Sequence, residues 1–139
     1  MKKGALINSD ISYVISKLGH TDSIVVADSG LPIPSEPQRI DLAVTKGVPA
    51  FLLVLDAVLQ EQRVEEIVIA SEIKENSPGM YDSILDRIKD LKAAENIDIE
   101  ITEVSHEDFK AMTRESKAVI RTGEFTPYAN VILKSGVVF

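Results

Sequence analysis

Residues able to do acid–base work are few in this chain. It has two histidines in 139 residues and no cysteine. Without cysteine there is no thiolate nucleophile, no disulfide and no thiolate metal site. His20 follows Gly19 just past an apolar helical repeat, and His106 stands in the first turn of a segment opened by Ser105-His106-Glu107-Asp108. The partial negative charge at a helix C-terminus favours imidazolium, whereas the positive end at an N-terminus favours neutral imidazole. Such opposed environments separate an acid from a base. Asp28 is the third candidate, because it closes the apolar run Ile24-Val25-Val26-Ala27, and α/β folds gather ligands at the carboxyl ends of strands. Each also has a plainer reading: a histidine at a helix end is often a surface or capping residue, and an aspartate there can simply cap a turn.

The stretch Arg121-Thr122-Gly123-Glu124-Phe125-Thr126-Pro127-Tyr128-Ala129-Asn130 combines a glycine, a proline, two aromatics and several hydrogen-bonding groups between two apolar runs. A sugar site uses this mixture, with apolar surface for the ring faces and donors and acceptors for hydroxyls. The plainer reading is an irregular connection with Tyr128 in the core. Lys110 lies one turn beyond His106 on the same helix face, where a solvated lysine is the ordinary outcome. No G-x-x-x-x-G-K-[ST] phosphate loop, G-x-G-x-x-G fingerprint or H-E-x-x-H pair occurs. Ser105 beside His106 in sequence does not make a nucleophile triad, and the spacing of the histidines with Asp28 does not support a metal. The expectation from these residues is a site without metal.

The elements that must position these residues alternate between helix and short strand. Ile11, Val14, Ile15 and Leu18 follow helical spacing, with Asn8 or Ser9 as cap and Gly19 placed to terminate. Ile24–Ala27 reads as a buried strand, and Asp28–Pro34 as a loop punctuated by two prolines and a glycine. Ile40–Val44 suggests a further strand, and a helix follows from Pro49. Ile67–Ala70 is a buried strand, Met80 to about Ala94 a helix, and Ile97, Ile99 and Ile101 alternate with polar residues as in a strand. The Ser105–Asp108 capping pattern opens a short helix. Strands are expected at 118–121 and 131–133, with 137–139 as an added edge. This pattern predicts a single α/β layered domain over residues 1–139, with a mixed β-sheet and helices on both faces.

The net charge of −7 disfavours nucleic acid and anionic membranes as partners. It sets no barrier before a neutral ligand. Lys2 and Lys3 are not followed by an apolar leader segment, and no apolar run approaches bilayer length. The expected setting is the cytoplasm.

Leu18-Gly19-His20-Thr21-Asp22, Asp28-Ser29-Gly30-Leu31-Pro32-Ile33-Pro34, Ser105-His106-Glu107 and the block from Arg121 to Asn130 occur in order. Together with Met1–Gly4 and Leu6–Ser9, they resemble the D-ribose pyranase family from the first residues to Phe139. L-fucose mutarotases share the L-G-H-x-D and T-G-E…Y-x-N features but lack the D-x-G-L-P-I-P loop and the F-T-P-Y-A-N form. The resemblance implies a proton donor at His20 and ribose contacts at Asp28, His106 and the Tyr128-Ala129-Asn130 run. It further implies a homo-oligomer, a ring-like decamer built from pentamers with sites near subunit contacts, and no cofactor. The implied reaction interconverts the pyranose and furanose forms of D-ribose. His20 would protonate the ring oxygen, while His106 receives the anomeric proton with Asp28 sharing that role or orienting the sugar. The alternative is a non-catalytic sugar-binding or transport-accessory protein.

Overall fold

Along β1 (Ser23–Ala27), Ile24 and Val26 pack into one apolar cluster while Val25 and Ala27 pack into another, and all four are fully buried. Alternate residues of a strand point to opposite faces, so β1 lies within a sheet covered on both sides. The computed structural model describes all residues, Met1–Phe139. In chain order β1 is preceded by α1 (Ser9–Lys17) and followed by β2 (Gln38–Asp41), α2 (Phe51–Leu59) and β3 (Val64–Ala70). Then come α3 (Ile73–Asn76), α4 (Pro78–Glu95), β4 (Glu100–Val104), α5 (His106–Met112), one 3-10 turn (Thr113–Glu115), β5 (Ala118–Arg121) and β6 (Val131–Ser135).

The six strands form one sheet in the order β2-β5-β1-β6-β3-β4. β6 runs antiparallel to its neighbours β1 and β3, and every other pair is parallel. The expected mixed sheet is therefore present, with helices on both faces, though unequally. The larger cluster joins one face to Ile11 and Val14 of α1, Leu55 and Val58 of α2 and Ile84 and Ile88 of α4. The other face is covered by Phe109 of α5 and Leu31 of the loop after β1.

This topology assigns loops to two edges. The segments leaving β1, β3, β4 and β5 meet the segment entering β6 at one edge. The segments entering β1 and β3 meet the end of β6 at the other.

Several local expectations shift. α1 begins as its cap predicts, with the Asn8 side chain accepting from the Ile11 amide at 2.9 Å. Gly19 does not take the left-handed conformation; Thr21 does, at φ 68°, because the Asp22 carboxylate accepts the Gly19 N–H at 2.9 Å and closes the turn one step later. The second strand starts earlier and stops at Asp41, whose carboxylate accepts the Ala43 amide and turns the chain away. Pro49 precedes its helix, since its carbonyl accepts the Gly123 N–H at 2.9 Å and Ala50 becomes the extended N-cap. The fourth strand runs three residues later than the isoleucine alternation suggests, because Ile97 closes back onto the Lys92 carbonyl. Residues 137–139 form no strand: pairing with β3 ends where the Gly136 N–H donates to the Arg63 carbonyl at 3.0 Å, just before that strand begins.

Candidate active site

At the carboxyl edge, β1 delivers Asp28, β4 delivers His106 through the Ser105 cap, and the connection from β5 to β6 delivers residues 122–130. They enclose a cavity of about 420 Å³ whose walls include Asp28, Leu31, His106, Glu124, Phe125 and Tyr128. Its polar and aromatic lining and its size suit a small polar ligand.

Asp28 is held from several sides. One carboxylate oxygen accepts the Gly30 N–H at 2.9 Å, and the other accepts the Asn130 side-chain amide at 2.8 Å. The Asn130 oxygen in turn accepts the Asp28 backbone N–H at 2.9 Å. Asn130 is fully buried, so its side chain reaches the cavity only through Asp28. Tyr128 takes a left-handed φ of 63°, and its ring meets the His106 ring edge-on at 5.0 Å. His106 also stacks on Phe109 at 6.5 Å, and its buried Nδ1 has no protein hydrogen-bond partner.

Two carboxylates absent from the sequence-based site support this edge. Glu72, in the turn after β3, accepts the His106 backbone N–H with both oxygens at 3.0 Å. That amide, with its own backbone N–H, holds the Glu72 carboxyl below the usual glutamate range despite desolvation. Glu124 accepts the Thr126 hydroxyl at 2.8 Å and the Thr126 amide at 3.2 Å on one oxygen, and the Phe51 amide at 3.3 Å on the other. Burial works to raise the Glu124 carboxyl, but these donors together outweigh it and hold the group low. Glu124 lies within the T-G-E run singled out in the sequence. Glu72 has no sequence signal, since its reach to His106 depends on β3 and β4 being neighbours.

The remaining candidates lie elsewhere. Ala129 is fully buried and does not line the cavity. Lys110 pairs with Glu107 at 2.6 Å in an adjoining groove beside Pro32 and Pro34.

His20 stands at the opposite edge. It precedes β1 where Asp28 follows it, and the five residues of that strand alone span about 17 Å at ~3.3 Å each. His20 therefore does not join Asp28 and His106 within one chain. It lines a separate groove with Val138 and Phe139, its side chain 57% exposed and its Nε2 2.9 Å from the Glu65 carboxylate.

Comparison with known proteins agrees over the whole length. D-ribose pyranases of Citrobacter koseri and Geobacillus thermodenitrificans are each 55% identical to this chain over 139 residues, covering all of this chain and 100% and 99% of the respective relatives. The structure of Bacillus subtilis RbsD complexed with D-ribose superimposes with a TM-score of 0.89 at 43% identity, with both chains fully covered. The Streptococcus pneumoniae fucose mutarotase in complex with L-fucose gives 0.83 at 25% identity, again over both full chains. The family model described as the RbsD / FucU transport protein family matches residues 1–138, and the chain belongs to that family.

Proposed function

We propose that this protein is a D-ribose pyranase, an isomerase that interconverts the pyranose and furanose forms of D-ribose, acting in the cytoplasm as a homo-oligomer. The observation that carries the reading is the cavity in which Asp28, His106 and Tyr128 converge, in a chain 55% identical end to end to D-ribose pyranases.

Changing ring size requires cleavage of the bond between C1 and the ring oxygen O5. A proton is delivered to O5 as another leaves the C1 hydroxyl, giving the open aldehyde and a free O5 hydroxyl. Rotation then brings the C4 hydroxyl to C1, and the reverse proton movements close the five-membered ring. Atoms and charge balance without an oxidant or a covalent enzyme intermediate. His106 receives the anomeric proton, and Asp28 shares that role or fixes a hydroxyl. Tyr128 packs on the sugar, Asn130 holds Asp28 in place, and Lys110 contributes from the adjoining groove. His20 supplies the proton to the ring oxygen.

Because His20 lies at the far edge of its own chain, it serves the cavity of a neighbouring copy. Its exposure supports this, since a proton donor surrounded by bulk water gains little from positioning. So do the exposed Val138 and Phe139 beside it and the exposed Phe125 on the cavity wall, apolar surfaces that a second copy would cover. The oligomer is proposed to be the ring-like decamer, a size that light scattering reads directly.

Magnetisation exchange between pyranose and furanose signals of D-ribose tests the reaction. Catalytic amounts of protein are expected to accelerate exchange. Binding without acceleration would instead identify a sugar-binding accessory protein, and a new ketose product would identify an aldose isomerase.

A further inference from the structure

His20 sits in a turn that is bonded within itself and to the end of β6. The Gly19 N–H donates to the Asp22 carboxylate at 2.9 Å, and the Thr21 N–H donates to the Ser135 carbonyl at 2.8 Å. The Ser135 N–H returns to the Asp22 carbonyl at 2.8 Å. These bonds keep Thr21 left-handed at φ 68°, a conformation costly for a β-branched residue and retained only where its surroundings enforce it. The turn is therefore fixed by the end of β6.

β6 separates β1 from β3 in the sheet, so its end also faces the start of β3, where Glu65 stands. Gly136 makes the room. A Cβ added there would lie 3.2 Å from the Glu65 Cβ and 3.3 Å from Oε2, the same oxygen that meets His20 Nε2 at 2.9 Å. Any larger residue would press on the carboxylate that holds the imidazole.

We infer that Glu65 is the positioning residue for the proton donor, holding His20 by Nε2 so that Nδ1 is the nitrogen that exchanges its proton with the sugar. An ionised carboxylate can only accept, so the Nε2 it contacts carries hydrogen in both protonation states of the ring. The labile proton is then the one on Nδ1. A carboxylate behind an imidazole selects tautomer and orientation in this way in other acid–base sites. Glu65 reaches the sugar only through His20. The inference rests on His20 acting as the donor proposed above.

The test uses the unaltered full chain labelled with 15N at histidine, with His106→Gln to assign the two residues. Long-range 1H–15N spectra of neutral His20 are expected to show hydrogen on Nε2; hydrogen on Nδ1 overturns the inference, whatever the activity. Glu65→Gln is isosteric but can donate as well as accept, so it no longer selects one tautomer. It is expected to lower kcat for ribose ring exchange by about tenfold or more with KM within about twofold. Unchanged kcat, or a rise in KM alone, also overturns it. Failure of the unaltered protein to accelerate exchange overturns the proposed function instead.

Discussion

At the carboxyl end of β1, Asp28 accepts hydrogen bonds from Gly30 and Asn130, and the neighbouring His106 packs against Tyr128 and Phe109. At the amino end, His20 has one side-chain partner, Glu65, and most of its ring faces solvent. The first arrangement is organised within one chain: carboxylate, imidazole and aromatic ring are fixed before any ligand arrives. The second fixes the backbone firmly while leaving the side chain outward. A left-handed non-glycine residue marks each end, Tyr128 at the first and Thr21 at the second, so local strain is held at both. Under the proposed function, the chain carries two unequal halves of a site, a cavity that receives and a projecting imidazole that is delivered.

The severest challenge to that division is complementation. His20→Ala alone and His106→Gln alone are each expected to lower ribose exchange by about 10²-fold or more, with His20→Ala still binding ribose. Chains carrying one change are then dissociated, mixed with chains carrying the other, and reassembled. If donor and cavity come from different copies, about a quarter of sites in an even random mixture hold both native residues, and activity returns in that proportion. A mixture as inactive as its parents would place the whole site within one chain.

The cavity half alone is probed by Asn130→Ala. The change removes a donor from the Asp28 carboxylate and leaves the Asp28 amide without its acceptor in a buried setting. Unsatisfied groups of this kind cost about 1–3 kcal/mol, and a displaced Asp28 should raise KM more than it lowers kcat. Calorimetric melting together with exchange kinetics reads both effects. A variant with native stability and native KM would show that Asp28 needs no such support.

How far these halves could be read in the sequence depends on what each part requires. The strand Ile24–Ala27 was visible as an uninterrupted apolar run, and that run already separates His20 from Asp28. The cap at Ser105, which places His106 at the head of α5, was visible because capping needs only residues three apart, and the structure has the Ser105 hydroxyl accepting the Asp108 amide. The opposed helix ends were less informative than expected, because α1 ends at Lys17 and His20 belongs to the turn beyond it. Glu65 and Glu72 were not legible. Each meets its histidine across strands 34 or 45 residues apart in sequence, and only the order β1-β6-β3-β4 brings them together. Asn130 was singled out by type and place, but that its side chain is buried and bonded to Asp28 depends on long-range packing that the sequence does not display.

The smallest effect expected is also the one with a defined pH window. In Glu124→Gln the side chain must turn its NH₂ toward either the Phe51 amide or the Thr126 donors, replacing an acceptor with a donor. The loss of about 1 kcal/mol should lower the melting temperature by roughly 3–5 °C near neutral pH. The Glu124 carboxyl is held below its ordinary value of 4.5 in the folded chain. A depressed folded value means that this stability is fully present above 4.5 and is lost as pH falls through the folded value, because the unfolded carboxylate binds the proton more tightly than the folded one. The gap between native protein and variant is therefore expected to hold from pH 7 to about pH 5 and to narrow below 4.5. Melting curves recorded across that range decide it, and a gap that stays constant into acid would mean that the Glu124 charge does not tie the T-G-E turn to α2. Because this turn forms one wall of the cavity and makes no hydrogen bond to the Glu65 that holds His20, the variant should alter ribose KM while leaving the His20 tautomer untouched.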